Sequence, residues 1–164
     1  MSFTISAAPR GQLSEIRDIY NEVIRNTTAV FSDVEVTLEN REAWFDAKRT
    51  AGFPVLAAID PSGVVGFGTF GEFRSWPGYR YSVEHSVHVR ADCRGRGVGR
   101  ALVQALLQEA AGMQKHIMIA GIDAQNVTSV ALHEKLGFQV VGELKEVGFK
   151  FGRWLDLKLM QRLI

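Results

Sequence analysis

The chain has 164 residues, 46% hydrophobic and 23% charged, with a formal net charge of +1, which fits one globular domain over residues 1–164 and argues against a general polyanion binder. No apolar run is long enough to cross a bilayer and Met1 to Gly11 holds no apolar signal core, so nucleic acid and membrane are excluded as expected partners. Cys93 is the single cysteine, which rules out an internal disulfide and points to a cytoplasmic setting, and no His/Cys/Asp cluster has metal-ligand spacing.

Phe3 to Ala7 alternates as a short strand. Leu13, Ile16, Ile19, Val23 and Ile24 recur at helical spacing, which predicts a helix ending near Asn26. A second helix is expected from Leu38 to Thr50, with Trp44 and Phe45 on its surface or groove side, before the stop signal of Gly52 and Pro54. Pro54 to Ile59 and Val64 to Phe70 form a hairpin about Asp60-Pro61-Ser62-Gly63, strong turn chemistry. A loop follows around Arg74-Ser75-Trp76-Pro77-Gly78. The strand Tyr81 to Val89 then carries Val83, His85, Val87 and Val89 on one face, and Ser82, Glu84, Ser86 and His88 on a polar one. A helix opening at Val98 ends at Gly112, and His116 to Ile122 is a buried-looking strand. Asn126 is an N-cap candidate for a helix to Leu136; Phe138 to Gly142 and Trp154 to Leu163 are the last strands. The order is β-α-α-β-β-β-α-β-α-β-β.

Between the fourth strand and the third helix stands Arg94-Gly95-Arg96-Gly97-Val98-Gly99-Arg100. Alternate glycines leave backbone N–H groups unshielded, and they run straight into a helix N-terminus whose dipole favours an anion. With three arginines around it, the segment reads as a phosphate-binding turn. The dinucleotide pattern fails, because Leu102 stands at the third glycine position counted from Gly97. The P-loop pattern fails for want of Gly-Lys-Ser/Thr.

Arg94-x-x-Gly97-x-Gly99 between strand and helix resembles the pyrophosphate turn of the GNAT superfamily of acyl-coenzyme A N-acyltransferases. Asn126, Ser129 and Ala131-Leu132-His133-x-x-Leu136-Gly137-Phe138 resemble its second coenzyme-binding segment. The runs Val83-Glu84-His85-Ser86-Val87 and Lys150-Phe151-Gly152-Arg153-Trp154-Leu155-Asp156-Leu157 are similar to the phosphinothricin and methionine sulfoximine acetyltransferase branch. Two departures stand out: His88 replaces a usual Tyr, and Phe31 a frequent Trp. The resemblance implies an α+β, α/β/α sandwich-like GNAT fold, with a central mixed, mostly antiparallel sheet of about seven strands.

It further implies acetyl transfer from acetyl-CoA, without a metal, to the α-amino group of a small amino acid or analogue. Backbone N–H groups from Gly95 to Arg100 would hold pyrophosphate. Main-chain groups of Val87, His88 and Val89 would hold the pantetheine and thioester, with Asn126 and Ser129 contributing. Glu84 is the candidate base, directly or through water. His133 is expected near the thioester sulfur, either as leaving-group acid or in packing. Arg74 is the carboxylate clamp, with Phe31, Ser75, Trp76, His85 and Ser86 lining the acceptor pocket. Relatives are dimers, so a homodimer is expected. A protein N-terminus or polyamine acceptor, and a non-catalytic CoA sensor, stay open as alternatives.

Overall fold

The computed structural model describes residues 2–164. Its elements are β1 (Thr4–Ala7), α1 (Leu13–Asn26), α2 (Leu38–Thr50), β2 (Val55–Asp60), β3 (Gly63–Glu72), β4 (Ser82–Val89), α3 (Val98–Gly112), β5 (Ile117–Asp123), α4 (Val127–Lys135), β6 (Gln139–Lys150) and β7 (Arg153–Leu163). The order is the expected one. The strands form one sheet in the order β1-β2-β3-β4-β5-β7-β6, antiparallel everywhere except between β4 and β5.

Alternation along the strands feeds two cores. Val55, Ala57, Val64 and Phe67 point to one face, where Leu13, Ile16 and Ile19 of α1 and Phe45 of α2 cover them. Leu56, Ala58, Val65, Val83, Met118 and Ala120 point to the other, under Val98, Leu102, Val103 and Leu106 of α3. The sheet is thus sandwiched, with α1 and α2 opposite α3.

Two expectations need correction. Phe45 lies in the core, at 4% exposure, and not on the helix surface. The helical stripe that seats α1 and α2 on the sheet takes it inward, while half-buried Trp44 packs edge-on against Phe67 at 6.2 Å. The strand expected to stop at Gly142 continues to Lys150. Register shifts between Val140 and Gly142, and between Leu144 and Gly148, break its alternation, so the period-two signal disappears from the sequence. The polar face of β4 is unevenly exposed. His88 is buried there, its ring packed against Tyr20 at 5.3 Å and Phe67 at 5.2 Å.

β6 is an edge strand, and the β6–β7 hairpin carries a large exposed apolar surface. Val141, Val147, Phe149, Phe151 and Trp154 are each more than half exposed. The rings of Phe149 and Trp154 meet at 5.0 Å across the two strands.

Candidate active site

The parallel junction in the sheet is short. β4 and β5 pair at Ser82↔Ile117, Val83↔Met118 and Glu84↔Ile119 and no further. Past that point each strand follows its outer neighbour, β4 with β3 as far as Gly66↔Val89 and β5 with β7 as far as Asp123↔Leu157. The sheet opens as a wedge with Glu84 at its apex. The N–H of Arg90 donates to the Val65 carbonyl at 2.9 Å. Antiparallel alternation from that bond turns the main chain of His88 towards β3 and that of Val87 and Val89 towards the gap. Backbone donors and acceptors so exposed need partners. Arg94 Nε supplies one, donating to the Val89 carbonyl at 3.1 Å.

A cavity of about 580 Å³ fills the wedge, walled by Val87, His88 and Val89, by the glycine turn, and by Asn126, Ser129, Leu132 and His133. Gly95 and Gly97 take φ of +76° and +84°, left-handed angles that a side chain would strain. Gly97 caps α3 without a side chain, so the first-turn amides of Val98, Gly99 and Arg100 lack helical acceptors at the positive end of the helix dipole. The three arginines differ. Arg94 pairs with Glu22 at 2.6 Å. Arg96 turns back to the Cys93 sulfur at 3.2 Å and to Asp60 at 3.5 Å, and it does not line the cavity. Arg100 is exposed and makes no hydrogen bond or ion pair among the described residues. An anion placed here would therefore meet main-chain amides and Arg100 more than a threefold free charge.

On the opposite wall, Asn126 caps α4: its side-chain oxygen accepts from the Ser129 N–H at 3.1 Å. That leaves its amide NH₂ for the cavity, so the cap and binding roles are compatible. His133 is buried, with Nδ1 2.7 Å from the Ser129 carbonyl and Nε2 3.1 Å from His85 Nε2. A carbonyl only accepts, so His133 Nδ1 carries the proton and its Nε2 is a lone pair, to which His85 Nε2–H donates. Both His133 nitrogens are thus engaged, and no proton of His133 is free for a leaving sulfur in this arrangement. His85 lies on the α3 side of β4, the face opposite Glu84, packed against His133 and Phe138. It therefore falls outside the pocket it was expected to line. Its Nδ1 is buried without a hydrogen-bond partner.

Glu84 is half-buried at the apex, and burial raises its pKa above the ordinary carboxylate range, partly offset by the positive charge of Arg74. Arg74 is therefore close enough to act on Glu84. Its guanidinium rests over the Phe73 ring at 5.2 Å and, with Ser75 and Trp76, it is exposed. Ser86 shares the Glu84 face of β4 and is exposed. Opposite them stands Gly121 of β5, which sequence reasoning missed. A Cβ there would sit 3.0 Å from Glu84 Oε1 and 3.4 Å from Leu157 Cδ1. The one signal for it was a glycine inside an apolar strand, a mark of close approach. Phe31 crosses this same side over Gly148, its ring filling the space a Cβ of Gly148 would need. A second cavity of about 390 Å³ lies between the segment after α1 and the β6–β7 turn, lined by Thr27, Thr28, Ala29, Asp123, Asn126 and Phe151.

Residues 16–138 match the family described as "Acetyltransferase (GNAT) family". The chain is 46% identical over 162 residues to the L-methionine sulfoximine/L-methionine sulfone acetyltransferase of Pseudomonas paraeruginosa, covering 98% of this chain and 94% of that one. It is 36% identical to the phosphinothricin N-acetyltransferase of Alcaligenes faecalis, covering 97% and 81%. Among solved structures it is similar to a putative acetyltransferase from Salmonella typhimurium with its cofactor acetyl-CoA, with a TM-score of 0.96, 43% identity, and 99% and 94% coverage. A ribosomal-protein-alanine N-acetyltransferase from Brucella melitensis also has a TM-score of 0.96, at 44% identity, covering 98% and 99%.

The buried histidines generate a prediction about stability. Burial, with neighbouring positive charge, lowers His85 to about 3 and His88 to about 4, and burial lowers His133 too. All three are neutral when folded but take a proton near pH 6.5 when unfolded. The unfolded chain then binds more protons, so stability present above pH 6.5 drains away as pH falls below it, continuing towards about 4. Glu84 works in the opposite direction, as one group against three. Urea unfolding should show a loss of a few kcal/mol between about pH 7 and about pH 5. His88→Phe should flatten that slope; a wild-type stability independent of pH over this range would show that the histidines are solvated.

Proposed function

The chain belongs to the acetyltransferase (GNAT) family, and on that premise we propose that it moves the acetyl group of acetyl-CoA to the α-amino group of a small amino acid or analogue of the methionine sulfoximine, methionine sulfone or phosphinothricin type. One observation carries the reading. The wedge between β4 and β5 holds a cavity walled by the glycine turn and the N-terminus of α3, and the same strand β4 carries a half-buried carboxylate, Glu84, in the last pair before the wedge opens.

The parts answer three chemical demands. The amides of the turn, with Arg100, hold the pyrophosphate. The main-chain groups of Val87 and Val89 take the place of a missing β5 partner for the pantetheine arm, and an N–H there can stabilise charge developing on the thioester oxygen. Asn126 offers its NH₂ to the same arm. Glu84, reaching from the other face beside Gly121, takes the proton of the acceptor's ammonium directly or through a water, so that neutral amine attacks the thioester carbon. The C–S bond breaks, the thiolate leaves and, through solvent, takes up the proton that the acylated nitrogen sheds; His133 shapes the surroundings of the sulfur and not its protonation. Arg74 holds the carboxylate of the acceptor, with Phe31, Ser75, Trp76 and Ser86 around it. The whole of residues 1–164 acts as one domain.

A protein N-terminus is the second acceptor reading, favoured by the name of the Brucella structure. Arg74 beside the base weighs towards a free carboxylate instead, because a peptide has none next to its amine. The single, buried Cys93 supports a reading of the chain as cytoplasmic. No helix among the described residues is long and apolar enough to cross a membrane. Acetylating an antimetabolite amine removes a charge that its target would recognise, which is the physical basis for reading resistance as a physiological outcome. The exposed β6–β7 face completes the proposal as the contact of a homodimer, since apolar patches of this kind mark association surfaces.

Thiol release from acetyl-CoA with L-methionine sulfoximine, L-methionine sulfone and phosphinothricin as acceptors tests the reading; turnover of peptides or polyamines in preference to all three would overturn it. Glu84→Gln should lower kcat roughly 10²–10⁴-fold. The deficit should shrink as pH rises and free amine becomes available, and near-normal kcat at neutral pH would defeat the assignment.

Arg74→Gln should cost about 30- to 1,000-fold in kcat/KM for an amino-acid analogue and much less for its amide. Because Arg74 lowers the pKa of Glu84, its loss should also move the acid limb of the rate profile to higher pH. Equal losses for acid and amide would remove Arg74 from the site.

Sedimentation should give a dimer for the wild type and a monomer for Trp154→Glu. A monomeric wild type at micromolar concentration would exclude the β6–β7 contact.

A further inference from the structure

Lys150, the last residue of β6, is completely buried. Its ammonium bonds no carboxylate. Nζ donates instead to three main-chain carbonyls: Ile24 at 2.7 Å, Thr27 at 2.7 Å and Val30 at 2.8 Å. Three donors meet three acceptors, and the group is saturated. The Ile24 carbonyl belongs to the last turn of α1, where carbonyls lack helical partners and the dipole favours a cation. The Thr27 and Val30 carbonyls belong to the irregular segment that follows.

Burying an ammonium is a costly way to gain stability, and an apolar side chain of similar volume usually does as well. What a saturated ammonium adds is position. The segment it grips, residues 27–31, runs past both cavities: Thr27 and Ala29 line the wedge cavity and the smaller one alike. Thr28 Oγ1 ties the segment to Asp123 at the end of β5, and Phe31 rests on Gly148. Lys150 lies two residues beyond Gly148 on the same face of β6, so one strand carries both the anchor and the seat of the aromatic ring.

We propose that Lys150 is a positioning residue that holds the segment 27–31 as the common wall of the coenzyme and acceptor sites and so sets where Phe31 stands over the acceptor. The proposal rests on the acceptor pocket lying on the Glu84 face. Lys150 itself touches neither substrate; it acts through the carbonyls it holds.

The test combines backbone dynamics with kinetics. In the wild type, backbone order parameters over residues 27–31 should be about 0.85, the value of rigid structure, despite the absence of helix or strand there. Lys150→Met keeps the apolar stem and removes the donors. It should drop these order parameters below about 0.6 while α3 stays rigid. It should raise the acceptor KM about 10-fold or more, with kcat within about 3-fold and the acid limb of the rate profile, set by Glu84, unmoved. Phe31→Ala should raise the acceptor KM in the same way, and the double variant should be no worse than the poorer single one. A mobile segment 27–31 in the wild type overturns the proposal. So does a Lys150→Met enzyme with an unchanged acceptor KM, or additive losses in the double variant. Should Lys150→Met fail to fold, the wild-type order parameters and Phe31→Ala decide. Should the parent acetylate no amino-acid analogue, the acceptor reading fails by itself, while the order parameters still report on the anchor.

Discussion

Everything functional in this molecule depends on a hydrogen-bond ladder that stops early. β4 and β5 are joined at three residue pairs and then part, because each remains paired to its outer neighbour. An interior sheet strand with no partner on one side would be costly if it were sealed from both water and ligand. Here the unpaired stretch becomes the wall of a cavity, so its donors and acceptors are available to a ligand that runs alongside like a strand. The place where the ladder ends also positions Glu84. It is in the last pair, where burial raises its pKa.

The polar groups around the wedge are handled in contrasting ways. Glu84 is half-buried beside Gly121 and makes no hydrogen bond or ion pair among the described residues. His85 and His133 spend their hydrogen bonds on each other and on the Ser129 carbonyl, on the far face of the strand. His88 is walled in by aromatic rings, and Arg41 nearby stacks over Tyr20 and Trp44, each at 4.6 Å, instead of meeting a carboxylate. Buried histidines with depressed pKa values are poor acids at neutral pH. The division leaves the Glu84 carboxylate without a hydrogen-bonding partner among the described residues and uses the imidazoles as neutral packing.

The glycine turn shows a similar economy. Two of its three arginines are tied into the protein, Arg94 to Glu22 on α1 and Arg96 to Asp60 on β2. These pairs anchor the turn to α1 and to the β2–β3 hairpin. A ligand then meets a pre-formed ring of amides, and little ordering is left for binding to accomplish.

The order of elements, the hairpin at Asp60–Gly63, the Asn126 cap of α4 and the glycine turn that opens α3 were all legible in the sequence, because each is a local pattern with a local cause: periodicity, turn chemistry, or glycine beside a helix start. Glu84 and Arg74 could be named because strand alternation and proximity in the chain place them near one another. The tertiary structure alone decided which polar residues of β4 are buried, since that depends on what packs over each face. His85 and Ser86 are neighbours in sequence yet lie on opposite sides of the sheet, one sealed by α4 and the other open. The length of β6 was hidden by its bulges, which break the alternation that marks a strand. Gly121, Gly148 and Lys150 carried no readable role, because their meaning lies in what approaches them from distant segments: the Glu84 carboxylate, the Phe31 ring, and three carbonyls more than a hundred residues away in the chain.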